Sequence, residues 1–216
     1  MIAPKKHISK SVRRREEIVR CATELFDKKG FFNTSLDDVA QAVGIKREAL
    51  YYYYKNRTEL LLAIIAPQAI ELITSLEEVV SSGLPAKEKL RLAIQNHLDR
   101  FDHHCLEMTI TLRDGVMGTS DPVREPMVKV WKTYEKLWTK LILEGQTSGE
   151  FEIVGDPKMV SFGILGMCNW LSRWYKPDGK TTVEELIETY FRLVSEGLLP
   201  RSSAHVTDAG SGENKA

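Results

Sequence analysis

Apolar residues recur at intervals of three to four positions along almost the whole chain, and this period constrains the fold class. Ile18, Ala22 and Leu25 mark one such stripe near the start, and Trp131 and Trp138 belong to another in the middle. The spacing matches the turn of an amphipathic α-helix. We find no segment with the alternating pattern of a half-buried strand. The sequence therefore predicts an all-α protein of about nine helices.

Glycines and capping residues predict where the first helices end and begin. Gly30 ends the first helix, because glycine commonly stands just past a helix terminus. Ser35 with Asp38 three residues later forms a capping box that opens a short helix, and Gly44 ends that helix. A second short helix covers residues 46–53. Two short helices joined by a glycine-containing turn, after a supporting first helix, predict a helix-turn-helix.

The same pattern divides the chain into a small head of three helices and a larger helical body. We expect a basic arm over residues 1–12, the helix-turn-helix head over residues 13–60 and the body over residues 61–199. A long helix that begins near Arg57 joins the head to the body. The tail over residues 200–216 is rich in serine, glycine and charge, and this composition predicts disorder.

Charge and aromatic residues distinguish the head from the body. Residues 1–60 contain thirteen Lys or Arg and eight Asp or Glu, a net charge of +5, whereas the rest of this neutral chain carries −5. Four consecutive tyrosines, residues 51–54, stand among basic residues. A buried core does not favour four adjacent phenols that each need a partner. A surface that binds a polyanion can use several phenol hydroxyls beside basic side chains. We therefore expect the head to bind double-stranded DNA.

The second helix of the pair is the predicted recognition helix. It opens with Lys46, Arg47 and Glu48, in the turn that reaches base edges in such motifs. Arg47 can donate two bonds to a guanine, and Glu48 can accept one from a cytosine amine. Tyrosine rings can lie along sugars and donate their hydroxyls to phosphates, and Arg57 can add a phosphate contact. The predicted DNA-binding residues are Thr34, Ser35, Lys46, Arg47, Glu48, Tyr51, Tyr52, Tyr53 and Arg57.

The head also carries a set of motifs with uniform spacing. They are REEIV at 15–19, Gly30, TS at 34–35, DVA at 38–40, VG at 43–44, LYYYYKNR at 50–57 and ELL at 59–61. In these motifs residues 13–62 resemble the DNA-binding domain of the TetR family of bacterial transcriptional regulators. That family usually has Phe where Tyr54 stands and Lys where Arg57 stands. We expect both substitutions to keep the role of the position.

The resemblance implies a dimer. Members of the family are homodimers in which the last two helices of each subunit pair into a four-helix bundle. Their two heads meet successive major grooves of a roughly palindromic operator, about 34 Å apart. Some apolar residues of these helices must also serve the subunit's own core. By this resemblance the dimer-interface residues are Phe162, Gly163, Gly166, Trp170, Leu186, Tyr190, Phe191 and Val194.

The resemblance also implies that the middle helices enclose a pocket for a small-molecule effector. A stripe of methionine and aromatic residues fits such a pocket, although the same stripe is typical of an ordinary core. Arg113 and Asp114 would be unusual in a dry pocket, and one of the two could face a polar group of the ligand. The candidate lining residues are Leu98, Phe101, Met108, Leu112, Arg113, Trp131, Tyr134, Trp138 and Met167.

A second motif narrows the effector. The segment NWLSRWYKPDG at residues 169–179, followed by Thr182 and Gly197-Leu198, is similar to the C-terminal end of a TetR subgroup. That subgroup includes acyl-CoA-responsive repressors of fatty-acid, aromatic-acid and steroid degradation. It implies repression relieved by an acyl-CoA thioester or by a different apolar small molecule, although the same segment also fits a shared dimer-interface architecture.

Other classes of function remain to be weighed against this one. His97, His103, His104 and Cys105 suggest a metal site or a nucleophile, but their spacing follows no familiar zinc pattern. We find no glycine-rich phosphate loop or nucleophile elbow, so we expect neither an enzyme nor a cofactor. No apolar run approaches the roughly 20 residues of a membrane span, so we expect a cytoplasmic protein. A metal-responsive regulator and a DNA-binding protein without an effector stay open as alternatives.

Overall fold

The structure is a computed structural model that describes residues 9–99, 124–176 and 178–197. Within these ranges it contains eight α-helices, one short 3₁₀ segment and no strand, which confirms the predicted all-α class. The sequence also predicts a short helix near residues 106–113, and this segment lies outside the described residues. The helices are α1 (Lys10–Lys29), α2 (Leu36–Val43), α3 (Arg47–Tyr53), α4 (Arg57–Ser81), α5 (Ala86–Asp99), α6 (Arg124–Ser148), α7 (Pro157–Asn169) and α8 (Val183–Glu196), with the 3₁₀ segment Trp170–Arg173 between α7 and α8.

Helix α1 begins earlier than the sequence indicates. The Ser9 side-chain oxygen accepts a hydrogen bond from the Val12 backbone N–H at 3.3 Å and so caps the first turn. Residues 10–12, which the sequence placed in the basic arm, are therefore helical. At the other end Gly30, with φ of 80°, follows the last helical residue, and its N–H donates to the Phe26 carbonyl at 2.8 Å.

Two separate hydrophobic cores hold the described helices together. The head core gathers α1 to α3 and the first turns of α4, and it extends to Ile65, beyond the predicted boundary at residue 60. The body core gathers the second half of α4 with α5 to α8. Among the buried members of the head core are Ile18, Ala22, Phe26, Leu50 and Leu60, and among those of the body core are Leu76, Leu90, Ile94, Trp138 and Ile187.

Two features connect the cores. Contrary to the expectation from sequence, helix α4 is long and apolar enough to cross a membrane, but most of its buried residues belong to the cores, with Leu60 and Ile64 in the head and Leu76 and Val80 in the body. Trp131 of α6 is half-buried and packs against both cores. Helix α4 and Trp131 therefore both span the boundary between the head core and the body core.

A buried cation joins three helices of the body. The ammonium of Lys89, on α5, donates to the Val80 carbonyl near the end of α4 at 3.0 Å. It also meets the Glu144 carboxylate of α6 at 2.6 Å. The Lys89 side chain is 4% exposed, and a buried charge requires such partners. The ion pair therefore helps to fix α4, α5 and α6 relative to one another.

Candidate nucleic-acid interface

Helices α2 and α3 form the predicted helix-turn-helix. The Ser35 hydroxyl and the Asp38 carboxylate make the reciprocal bonds of a capping box at the start of α2. The Asp38 carboxylate accepts hydrogen bonds from the Ser35 hydroxyl and from the Ser35 backbone N–H, and these two bonds hold the pKa of Asp38 well below its usual range. Gly44 adopts the left-handed conformation, with φ of 72°, and the chain turns there into α3. Leu50 is fully buried and fixes α3 on the head core.

The four consecutive tyrosines do not share one environment. Tyr52 is 82% exposed and Tyr51 is 39% exposed, so their phenols face solvent. Tyr53 is half-buried, and Tyr54 belongs to the head core. The Arg15 guanidinium of α1 lies over the rings of Tyr53 and Tyr54, and burial raises the pKa of Tyr54. The run is therefore split between an outward-facing pair and an inward-facing residue, with Tyr53 at the edge.

Arg47, the first residue of α3, is held from two sides. Its Nη1 atom lies 3.0 Å from an Asp37 carboxylate oxygen of α2, and its Nη2 atom lies 3.2 Å from the Tyr51 hydroxyl. The guanidinium also sits over the Tyr51 ring, 5.3 Å from its centre. The bond with Tyr51 and the charge of Asp37 raise the pKa of Arg47. Lys46 and Glu48, on either side of Arg47, are exposed.

Thr34 and Arg57 are occupied within the head. Thr34 is fully buried, and its hydroxyl donates to the carbonyl oxygen of Gly30 at 2.9 Å. Its side chain does not face solvent, so the predicted phosphate contact by this hydroxyl does not fit the structure. The Arg57 Nη1 atom donates to the carbonyls of Phe31, Phe32 and Thr34 at 2.9–3.1 Å. Arg57 therefore attaches the start of α4 to the turn between α1 and α2.

In the body, three of the predicted pocket residues that the structure describes belong to the core and two are partly exposed. Leu98, Tyr134 and Trp138 are buried, while Trp131 and Met167 are half-buried. Phe101, Met108, Leu112 and Arg113 lie outside the described residues. An open groove of about 560 Å³ between α4 and α5 is bordered by acidic side chains and by none of the predicted residues.

His97 is a satisfied core histidine. Its Nδ1 atom lies 2.7 Å from the Tyr134 hydroxyl and its Nε2 atom lies 3.2 Å from the Asn169 side-chain oxygen. Because the amide oxygen accepts, Nε2 carries the proton and Nδ1 accepts from the phenol. Burial lowers the pKa of His97 to about 4, against the opposing effect of Asn169. No group of three His, Cys, Asp or Glu side chains suited to a metal ion occurs within the described ranges, and His103, His104 and Cys105 fall outside them.

Comparison with family models identifies the family to which the chain belongs. The model described as the tetracyclin repressor-like C-terminal domain matches residues 83–198, more than half of the chain. The model described as bacterial regulatory proteins of the tetR family matches residues 18–64, which contain the helix-turn-helix. The chain belongs to the TetR family. It is a DNA-binding transcriptional regulator.

Known proteins similar to this TetR-family regulator share its length and fold. The transcriptional repressor KstR2 of Mycolicibacterium smegmatis is 24% identical over 192 residues, covering 88% of this chain and 93% of the relative. The crystal structure of PfmR from Thermus thermophilus is 28% identical, with a TM-score of 0.74 over 85% of this chain and 99% of that one. The structure of AibR with isovaleryl coenzyme A and operator DNA is 22% identical, with a TM-score of 0.71 over 83% and 97%.

One face of α7 in this TetR-family regulator is apolar and uncovered. Phe162 is 42% exposed and Trp170, the first residue of the 3₁₀ segment that follows α7, is 64% exposed, with the exposed Gly163 and Gly166 between them. No Cβ placed on either glycine would meet an atom within 4 Å. Met159, which the sequence pattern did not single out, is exposed on the same side, three residues before Phe162 on the helical period. These residues form a continuous surface, which we call the α7 face.

On α8 the predicted interface residues divide between the core and the surface. Leu186 and Phe191 are buried in the body core of the same subunit, so their side chains are already covered without a partner subunit. Tyr190 and Val194 are half-buried at the edge of that core. Leu193, which the sequence pattern did not single out, is 36% exposed. The apolar stripe of α8 is wide enough to serve two surfaces, and its inner part packs on α5.

Proposed function

We propose that this protein acts as a homodimeric repressor that leaves a roughly palindromic operator when a small effector binds its body. The observation that carries the DNA-binding part is the outward face of α3. That face presents Lys46, Arg47, Glu48, Tyr51 and Tyr52 on a short helix fixed to the head core by Leu50. Charged side chains together with phenol hydroxyls can form hydrogen bonds both to base edges and to phosphates.

Each residue of this face has a proposed role. Arg47 and Glu48 address base edges in the major groove, because they occupy the first turn of the recognition helix. Lys46, Tyr51 and Tyr52 contact the phosphate backbone. Ser35, Tyr53 and Arg57 lie nearby and contribute at the margin, Arg57 through the guanidinium nitrogens other than Nη1.

The α7 face supports the homodimer. Its apolar side chains are uncovered in the single subunit, and its two glycines allow a second helix to approach closely. Tyr190, Leu193 and Val194 of α8 are further proposed interface residues, because they are apolar or aromatic and partly exposed. A symmetric pairing of these helices would cover the apolar area and place two heads on one operator.

An acyl-CoA thioester is the proposed effector. Support comes from the segment at residues 169–179, which resembles the acyl-CoA-responsive subgroup, and from the AibR relative, whose structure contains isovaleryl coenzyme A. Leu98, Trp131, Tyr134, Trp138 and Met167 would line the inner part of the pocket. Phe101, Met108, Leu112 and Arg113 complete the proposed set.

Helix α4 is the proposed route from effector to operator. Its second half packs in the body core and its first half in the head core. Arg57 ties its start to the turn before α2. An effector that shifts α4 within the body would therefore change the distance between the two heads, and this is sufficient to lose contact with successive grooves. We further propose that the protein works in the cytoplasm, catalyses no reaction and needs no cofactor.

The test is fluorescence anisotropy with labelled DNA from upstream of the protein's own gene. We expect the protein to bind this DNA tightly, with an affinity that falls steeply as the salt concentration rises. Acyl-CoA thioesters should release the DNA, whereas the matching free acids should not. Release by a metal ion, reversed by a chelator, would instead favour the metal-responsive alternative. Binding that no compound relieves would favour a DNA-binding protein without an effector.

The dimer has its own test. Substituting Gly166→Glu should place a charged side chain in the middle of the α7 face, giving a monomer in sedimentation analysis with an unchanged circular dichroism spectrum. Gly83→Glu is the matched control, because Gly83 is also exposed with no atom near its Cβ position but lies between α4 and α5. A Gly166→Glu variant that remains dimeric would remove this face from the interface.

A further inference from the structure

We propose that Asp37 of α2 is a positioning residue for base recognition, which holds the Arg47 guanidinium in the orientation that reads a base. This inference rests on the proposed role of α3 in DNA binding. It concerns a residue of the supporting helix that the sequence pattern did not single out.

The geometry fixes Arg47 at three points. The Asp37 carboxylate binds Nη1 at 3.0 Å, the Tyr51 hydroxyl lies 3.2 Å from Nη2, and the Tyr51 ring lies beneath the guanidinium at 5.3 Å. Tyr51 stands one helical turn after Arg47 on the same helix, whereas Asp37 comes from the other helix of the pair. The orientation of the Arg47 fork is therefore set by the packing of α2 against α3, which the Gly44 turn and Leu50 determine.

Such restraint matters for an arginine at the start of a recognition helix. A free arginine has many rotamers and loses this freedom when it forms a bidentate contact with guanine. Arginine has five N–H donors, and these two bonds use one on each terminal nitrogen, so the fork retains donors for a base. Tyr51 alone would leave the side chain able to rotate about its stacked position. Asp37 adds the second fixed point.

The charge of Asp37 argues for specificity over affinity. A carboxylate beside the recognition helix repels phosphates, so Asp37 weakens binding to DNA of any sequence. Asp37 also competes with DNA phosphates for the Arg47 guanidinium, which disfavours a contact between Arg47 and the DNA backbone. Asp38, its neighbour, is occupied by the capping box, whereas the Asp37 carboxylate pairs with Arg47 across the turn.

A role in stability alone would look different. Both partners are more than half exposed, with side-chain exposures of 53% for Asp37 and 60% for Arg47. Exposed ion pairs contribute little to folding. We therefore expect Asp37→Asn to fold as well as the unmodified protein and to change how sequences are ranked.

The experiment is enrichment of randomised DNA duplexes on the full-length protein, followed by affinities for the preferred site and for its single-base variants at one salt concentration. Arg47→Ala should lose preference at one base pair in each half-site, by roughly 5- to 150-fold. Asp37→Asn should lose about 3- to 10-fold of preference at that same base pair, with equal or tighter binding to unrelated DNA. The Asp37→Asn, Arg47→Ala double variant should lose no more than Arg47→Ala.

Glu24→Gln is the control variant. Glu24 forms an exposed ion pair with Arg20 on α1 at 2.8 Å, so the substitution removes the same charge from the head without touching α3. It should leave the base preference unchanged. If Glu24→Gln lost as much preference at that base pair as Asp37→Asn, the effect would come from net charge and the inference would be overturned.

Three further outcomes would overturn it. If Arg47→Ala keeps every base preference, Arg47 does not read a base. If Arg47→Ala loses a preference that Asp37→Asn retains in full, Asp37 does not position it. If the unmodified protein enriches no sequence at all, the proposed operator binding fails as well, and this result is distinct from the other two.

Discussion

Lys89 and Glu144 meet at 2.6 Å, yet only the lysine is withdrawn from water: its side chain is 4% exposed and that of Glu144 is 39% exposed. The ammonium also has the Val80 carbonyl at 3.0 Å. Removing the carboxylate leaves a buried cation with one neutral partner. The asymmetry makes Glu144 the more informative residue to substitute, because the stranded charge is the costly one.

We expect Glu144→Ala to lower the free energy of unfolding by about 1–3 kcal/mol, less than for a fully buried pair because water reaches the Glu144 side. Urea unfolding at fixed protein concentration measures this. Glu188→Ala is the control, since Arg91 and Glu188 lie 4.0 Å apart with both side chains exposed. The control should change stability by less than about 0.5 kcal/mol. Equal losses in the two variants would contradict the prediction.

The second prediction concerns the pH dependence of folding stability. Burial lowers the pKa of His97 to about 4 in the folded protein, whereas an unfolded histidine has a pKa of about 6.5. Below pH 6.5 or so the unfolded state therefore binds a proton that the folded state does not. The contribution of neutral His97 is complete above about pH 6.5 and declines as the pH falls towards 4.

The size of this effect is measurable. Between about pH 7.5 and about pH 5 the unmodified protein should lose about 2 kcal/mol more stability than His97→Gln. Carboxylates that titrate in the same window are common to both proteins, so the difference isolates His97. Parallel pH profiles for the two proteins would show that His97 does not resist protonation in the fold.

Gly145 of α6 gives a third prediction, in which the expected sign is unusual. Gly to Ala within a helix normally stabilises it by roughly 0.5–1 kcal/mol. Here a Cβ would lie 2.1 Å from the Phe151 ring, and the Phe151 N–H is fixed on the Gly145 carbonyl at 2.9 Å. The ring must move, so Gly145→Ala should destabilise by about 1–3 kcal/mol.

Thermal unfolding followed by circular dichroism measures this change. Gly83→Ala is the matched control, because no atom lies within 4 Å of its Cβ position. It should be nearly neutral. A Gly145→Ala variant that melts higher than the unmodified protein would mean that Phe151 does not pack on α6 in solution.

The fourth prediction separates two hydroxyls of the head. Thr34→Val removes a buried donor to the Gly30 carbonyl and should cost about 1 kcal/mol of stability while leaving DNA affinity unchanged. Tyr52→Phe removes an exposed hydroxyl and should do the opposite, leaving stability unchanged and weakening DNA binding by about 2- to 10-fold. Anisotropy and melting of both variants give the four values. Weaker DNA binding by a fully stable Thr34→Val would restore the phosphate contact expected from sequence.

Much of the head follows from local sequence rules. The capping box of Ser35 and Asp38, the left-handed Gly44 and the helical stripe of α1 each depend on a few neighbouring residues, and the structure contains all of them. Asp37 and Thr34 are different. Asp37 meets Arg47 ten positions later only because the turn brings α2 and α3 together, and the burial of Thr34 depends on how Arg57 closes the preceding turn.

In the body, periodicity identifies apolar faces but does not say what covers them. Phe162 and Phe191 cannot be distinguished by their sequence pattern, because each lies on the apolar stripe of a helix. Phe162 is 42% exposed, whereas Phe191 is 9% exposed against the body core. The difference arises from how α7 and α8 rotate about their axes when they pack on α5 and α6. That rotation is set by many contacts between distant residues, which no local pattern encodes.

The division of α4 between two cores has a consequence for how such regulators diversify. The helix passes from the head core at Ile65 to the body core at Leu76, and Trp131 is the side chain of α6 that touches both. A crossover in the gene within that stretch would exchange the recognition unit of one relative for another while keeping the sensor intact. Trp131 is one neighbour that a chimera joined there has to match, so new pairings of signal and target site are accessible by recombination as well as by gradual substitution.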